Sequence, residues 1–299
     1  MKLLILLLPV ALIGVFFFVG GKKPSANSTA VVSPSPGWTI EQNEQRLSKE
    51  IKEISGWTFI SDSTLAAICD SGNDPIIYML DTAGNILHRT QLQAKNTDFE
   101  DITTDGKGNL FVADIGNNNN SRKQLAIYKV PIANLWGESV RPTQTTTFSY
   151  ADQKDYPPSH HKRNFDAEAL VWKDNFLWVF TKCRTVPFTG KTNCYKIPDK
   201  AGDFSVSPSF SLRTGMRSWL NDAVTSAALN GDDLYLLTQD RMIQFDFSGN
   251  SPRKKSSLSI LPLSQKESMT VRSNGTIYIC DERQKVIGGG HIFRIRSRK

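Results

Sequence analysis

After residue 54 the chain is written in short apolar or β-prone runs separated by Gly, Asn and Asp turns. No long stretch there carries the 3.6-residue spacing of an amphipathic helix. One phrase recurs five times: an entry segment, a β-prone run, a polar turn, and a second run ending in Asp or Thr. It reads Ser55 to Asp70, Glu100 to Asp114, Glu168 to Thr181, Thr225 to Thr238, and Glu267 to Asp281. Strand-built repeats of this length are the mark of an all-β propeller, because a single four-stranded blade cannot bury both of its faces until neighbours stack on it.

Further strands follow each phrase. Gln124 to Val130 and Thr145 to Tyr150 extend the second repeat, Asn193 to Ile197 and Ser209 to Leu212 the third, and Met242 to Phe247 and Leu258 to Leu261 the fourth. The fifth stops at His291 to Ile295, one strand short. An N-terminal strand over residues 46–54, with Leu47, Ile51 and Ile54 inward, is expected to complete that last blade and so remove an exposed edge. The expectation is five four-stranded blades. Six is the alternative, if the stretch from Trp136 to Asn164 hides another.

Residues Leu3 to Val19 form a nearly unbroken apolar run after Lys2, followed by Gly20, Gly21, Lys22 and Lys23. Its length lies between the core of a signal peptide and a full bilayer span. Three parts follow: residues 1–21 as signal peptide or membrane anchor, 22–45 as a flexible tether rich in Ser, Pro and Lys, and 46–299 as the propeller. The expected location is extracytoplasmic, periplasmic or secreted, or anchored in the membrane by residues 3–19.

The formal charge is +7, of which Lys2, Lys22 and Lys23 supply three. The remaining excess gathers at Arg253, Lys254 and Lys255 and at the C-terminus, and is read as solubilising charge, so no nucleic-acid partner is expected. Among the four cysteines, Cys183 and Cys194 flank a loop and are expected to form a disulfide, which would suit an oxidising compartment. Cys69 and Cys280, each in an Ile-Cys-Asp triplet, are read as buried free thiols.

The candidate chemistry lies in the entry segments. Asp98 and Glu100, Asp166 and Glu168, and Glu267 begin the innermost strands of three blades, where a side-chain period of two puts each Asp with its Glu on one face. Their carboxylates should converge at one mouth of the central channel. An all-oxygen donor set of that kind suits Ca²⁺. A competing reading pairs these acids with Arg184, Arg241 and Arg283, which follow the second runs at similar offsets and would then fix the register of the ring. The Asn117 to Asn120 loop is read as flexible surface, and His160-His161 as a solvated turn. No Gly-x-Ser-x-Gly, His-Glu-x-x-His or P-loop sequence occurs.

The text DFEDITTDGKGNLFVADIGNNNNSRKQLAIYKVP, from Asp98 to Pro131, resembles the blades of NHL-type and senescence-marker-like (gluconolactonase-like) propellers. RNFDAEALVWKDNFLWVFTK, from Arg163 to Lys182, is more specifically similar to exported bacterial propellers of the SdiA-regulated family. The senescence-marker-like resemblance implies a Ca²⁺ or Zn²⁺ at the channel mouth with Glu100 in the general position of a ligand, while the Asn and Asp of that family's site have no clear match. The SdiA-regulated resemblance implies an envelope protein. Together these readings lead to a propeller that binds a small molecule, a glycan or an envelope protein through one channel mouth, with a Ca²⁺-dependent lactonase or esterase as the alternative.

Overall fold

The computed structural model describes residues 37–283 and 289–297, so the apolar run at residues 3–19 lies outside the described residues. Five sheets stand around one axis. β1 (Trp38–Arg46) opens the chain. Blade one, from the axis outward, is β2 (Ile54–Phe59), β3 (Thr64–Cys69), β4 (Ile76–Asp81) and β5 (Ile86–Leu92). Blade two is β6 (Phe99–Thr104), β7 (Asn109–Asp114), β8 (Leu125–Pro131) and β10 (Gln144–Tyr150). Blade three is β11 (Asp166–Lys173), β12 (Phe176–Lys182), β13 (Lys191–Pro198) and β15 (Pro208–Arg213). Blade four is β16 (Ser226–Asn230), β17 (Asp233–Leu237), β18 (Arg241–Asp246) and β19 (Arg253–Ser259). Blade five is β20 (Lys266–Val271), β21 (Ile277–Asp281), β22 (His291–Ser297) and, outermost, β1.

The ring therefore has five blades, and an N-terminal strand closes it. That strand is Trp38–Arg46 rather than 46–54, and it lies largely inside the stretch read as a tether. Leu47, Ile51 and Ile54 are buried as their pattern demands, but they wedge between blades five and one, against Leu65, Ala67, Cys280 and Ile292. The apolar pattern was real and belonged to the crossing between blades.

No sixth blade lies between Trp136 and Asn164. Instead the short β9 (Ser139–Val140) pairs in parallel with β5, and β14 (Gly202–Val206) pairs in parallel with β10. Each lends an outer strand to the preceding blade, so neighbouring blades are stitched at the rim as well as at the axis.

The core is divided into five seams, one at each boundary between blades. Strand alternation explains this. On β7, Leu110 and Val112 face blade one while Phe111 and Ala113 face blade three; on β17, Leu234 and Leu236 face blade three while Tyr235 and Leu237 face blade five. Middle strands buried on both faces read as nearly continuous apolar runs, as in Leu-Tyr-Leu-Leu. Phe111 is wholly buried, and its truncation to Ala would cost about 3–5 kcal/mol.

The expected Cys183–Cys194 disulfide is not formed; all four cysteines are buried free thiols. Cys194 sits opposite Phe180 in the β12–β13 ladder, whereas Cys183 is three residues farther along. At roughly 3.3 Å per residue that offset is about 10 Å, beyond the Cα separation a disulfide spans. The Cys183 thiol instead meets the hydroxyls of Thr185 and Thr189 at 3.2 and 3.3 Å. No helix among the described residues is long and apolar enough to cross a membrane.

Candidate functional site at the channel mouth

The inner strands share a local irregularity. Their pairing with the second strand slips by one residue, so that Ser55 on β2, Glu100 on β6, Glu168 on β11 and Glu267 on β20 are each an extra, unpaired residue. These are β-bulges, which re-aim a side chain without disturbing the ladder beyond them. All four bulged residues, together with Thr225 just before β16, line one cavity of about 520 Å³ at the channel mouth.

Below the bulges the channel is closed by a polar belt. Asp101, fully buried, accepts the backbone N–H of Leu170 at 2.9 Å, and Ser226 Oγ accepts the N–H of Met269 at 3.1 Å. Gly56 completes the closure from β2, where a Cβ would lie 2.7 Å from Asp101 Cα. The cavity thus opens to one side only of this belt.

Two sets of carboxylates meet at the mouth. Asp70, Asp98 and Glu100 form one, and Glu100, Asp166 and Glu168 the other, with candidate oxygen atoms in each set within 4.8 Å of one another. Glu100 belongs to both. Four of the five acids expected from the entry segments are therefore together, while Glu267 stands outside both sets and lines the far wall. Asp70 is the addition. It lies one residue past Cys69, which holds the ladder position of Asp114 and Asp281, so the Asp that ends the first repeat in the sequence is offset by one residue from the other two.

The acids differ in their partners. Asp166 accepts the Arg184 guanidinium at 2.6 Å and the Asn117 N–H at 2.7 Å. Glu168 accepts Lys182 at 2.9 Å and Arg184 at 3.3 Å. Glu100 has no hydrogen-bond or ion-pair partner among the described residues, although it is only 6% exposed. Burial, then Glu168, Asp70, Asp166 and Asp98 around it, push its carboxyl well above the usual range. Burial and the neighbouring Asp70 and Asp166 push Asp98 up to about 6, against hydrogen bonding from Ser71. Burial and then Glu267, Glu53 and Asp70 raise Glu282 to about 7. Glu168 is raised by burial despite Lys182, and the Lys182 ammonium, although disfavoured by burial, is held charged by Glu168 and Glu267.

Of the three arginines expected to neutralise the ring, only Arg184 does so among the described residues, and it acts on its own blade while bonding Asn118 of the preceding one. Arg241 is bound to Asp222, and Arg283 donates to the Leu47 carbonyl at 2.6 Å. Neither forms an ion pair with Glu267 or Glu100.

The asparagine loop is ordered by hydrogen bonds rather than free. Asn117 Oδ1 accepts the N–H groups of Ser121 and Arg122 at 2.8 Å, its amide donates to the Phe165 carbonyl at 3.0 Å, and Asn120 Oδ1 accepts the Phe165 N–H at 2.9 Å. The loop clasps blade three and holds Gly116 against the acids. A Cβ at Gly116 would collide with Glu100 Oε1 and with the Asp98 carboxylate. His160 and His161 are exposed and stand apart from this cavity.

The SdiA-regulated family model matches residues 29–175, so the resemblance covers blades one and two and the inner strand of blade three. No curated protein matches the chain. Among solved structures, a glutaminyl cyclase from Myxococcus xanthus is similar over 86% of this chain and 95% of its own, at 9% identity and a TM-score of 0.53. A glucose dehydrogenase is similar over 87% of this chain and all of its own, at 9% identity and a TM-score of 0.48. At 9% identity, the likeness to the glutaminyl cyclase is a likeness of fold.

Proposed function

Starting from a five-bladed propeller that resembles the SdiA-regulated family, we propose that its channel mouth is a ligand-binding face organised by a divalent cation, with Ca²⁺ the favoured ion. Asp70, Asp98 and Glu100 would hold it, supported by Asp166 and Glu168. Carboxylate oxygens from several strands suit a hard cation that takes six to eight oxygen ligands in forgiving geometry. The observation that carries this reading is Glu100, buried, without a donor among the described residues, and surrounded by four other acids. An isolated carboxylate in such surroundings calls for either a proton or a counter-cation.

The cavity is large enough for a small molecule or for the end of a glycan or peptide. We place the protein outside the cytoplasm, periplasmic, secreted or held at the membrane by residues 3–19. The apolar run alone supports that placement, since the free thiols lend it none.

A second reading, hydrolysis of a lactone or ester, is favoured by one observation. Glu282, which lines the same cavity but belongs to neither carboxylate set, is raised to about 7 and is suited to exchange a proton near neutral pH. When bound, the cation would supply Lewis acidity to the substrate carbonyl. Glu168, fixed by Lys182 and Arg184, would orient the substrate.

Calorimetric titration of chelator-stripped protein with Ca²⁺ tests the first reading. One site is expected, with a raised melting temperature, and Glu100→Gln should abolish both. A wild type indifferent to Ca²⁺, Mg²⁺ and Zn²⁺ would reject the cation site. Release of acid from lactones and aryl esters, lost in Glu282→Gln with the Ca²⁺ isotherm intact, is the readout for hydrolysis.

A further inference from the structure

The cavity has two unlike walls. Glu100 and Glu168 lie toward blades two and three; the opposite wall carries Trp219, Leu220 and Leu263 beside Glu267 and Glu282. The three apolar side chains are 52%, 42% and 50% exposed, which is unusual for residues at a concave site unless something covers them. They are held rigidly. Trp219 and Leu220 belong to the one-turn α1 (Trp219–Asp222), whose Asp222 is clamped by Arg217 at 2.6 Å and by Arg241. Lys266 donates to the Pro262 carbonyl at 2.6 Å and to Ser264 Oγ at 3.0 Å, pinning the turn that presents Leu263.

Glu267 and Glu282 form no ion pair among the described residues, and the nearby Lys182 ammonium is bonded to Glu168. Ser55, 5% exposed, lines the same cavity, and its Oγ has no hydrogen-bond partner. This wall therefore offers two carboxyl groups with no ion pair among the described residues, an unused hydroxyl and an aromatic side chain. A carboxylate-bearing ligand would be repelled here, and a neutral apolar one would leave the acids desolvated and unpaired.

We propose that the ligand of this face is an organic cation with an apolar body, an alkyl- or arylammonium group whose charge sits between Glu267 and Glu282 and whose body covers Trp219, Leu220 and Leu263. The assignment rests on reading the mouth as a ligand face, but not on the identity of the metal. Ammonium recognition combines carboxylates with an aromatic face, and Trp is the strongest of the aromatic partners.

The test is calorimetric titration of the full chain, saturated with Ca²⁺, using hexylammonium, hexanol and hexanoate as probes. Hexylammonium should bind at least tenfold more tightly than either of the others. Glu267→Gln should weaken it about tenfold, and Trp219→Ala severalfold, in keeping with the strength of charge-assisted and cation–π contacts. Trp219 is half exposed, so its variant should fold and keep its Ca²⁺ isotherm; Glu282→Gln serves if Glu267→Gln fails to fold. Equal binding of hexanoate or hexanol, or hexylammonium binding unmoved by Trp219→Ala, would overturn the proposal. An intact Ca²⁺ isotherm beside a failed amine series would reject this inference alone, whereas a silent Ca²⁺ titration would reject the cation site instead.

Discussion

Glu100 and Glu168 occupy the same bulge position on adjacent inner strands, yet Glu168 is bonded by Lys182 and Arg184 while Glu100 has no hydrogen-bond or ion-pair partner among the described residues. Equivalent geometry with unequal neutralisation leaves one negative group per pair unmatched. Glu100→Gln should therefore raise the melting temperature of metal-free protein, because it removes a carboxylate penalised by burial and by four neighbours. Thermal unfolding in chelator, wild type against variant, measures this; a lowered melting temperature would show that Glu100 is satisfied in some other way.

The mouth also sets a pH dependence. Asp98 rises from 3.8 to about 6 and Glu282 from 4.5 to about 7, so between those values the folded state binds more protons than the unfolded one. Stability of the metal-free protein should consequently fall as pH rises from about 4 to about 7. Asp81, Asp105 and Asp222 are shifted the other way by their hydrogen bonds, against burial, and should cause a separate loss as pH falls below about 4. Ca²⁺ should flatten the upper limb. Melting curves across pH with and without the ion would reveal it, and a flat metal-free profile above pH 4 would contradict the assignment.

Gly116 lies where no side chain fits, against Glu100 and Asp98. Gly116→Ala should displace those carboxylates and weaken Ca²⁺ at least tenfold, since a shift of about 1 Å is enough to spoil a preorganised site. The isotherm of a folded Gly116→Ala protein decides; unchanged affinity would mean that Asp98 and Glu100 do not hold the ion.

Ring closure predicts a sharp difference between two truncations. A chain beginning at residue 37 keeps β1, with Ile40 buried and paired to Ile295, whereas one beginning at residue 47 leaves the outer edge of β22 open. The first should unfold cooperatively, and the second should aggregate or melt broadly. Denaturant unfolding of both would check this, and a soluble, cooperative shorter chain would show that β1 is dispensable.

Alkylation of denatured protein without reductant should add four carbamidomethyl groups, one for each cysteine. Intact mass gives the number. Two adducts would mean that a disulfide forms in spite of the Phe180–Cys194 register.

The ring was legible because every blade buries both faces of its middle strands, which leaves apolar text such as Leu-Phe-Val-Ala bounded by turns. The acids were legible as a group for a reason that was incomplete. Strict alternation would place Asp98 with Glu100 on one face, but it is the bulge after Phe99 that turns Glu100 inward, and a one-residue slip leaves no mark in a single sequence. The closing strand was misplaced because Leu47 and Ile51 carry a stronger apolar pattern than Trp38–Arg46, whose role depends on an edge at the far end of the chain. The cavity's apolar wall was invisible. Trp219 and Leu263 matter through their position on turns between blades, and nothing in their neighbours distinguishes them from core residues.

The pairing of β1 with β22 also has a temporal side. During synthesis β1 emerges before any blade exists, and its partner is the last strand of the described chain. Until β22 has been made, then, the first ring strand has an unpaired edge while blades one to four can assemble on local contacts. The strand that seals the ring is thus the one that waits longest, and the nascent chain is most vulnerable to strand exchange with a second copy just before it becomes most secure.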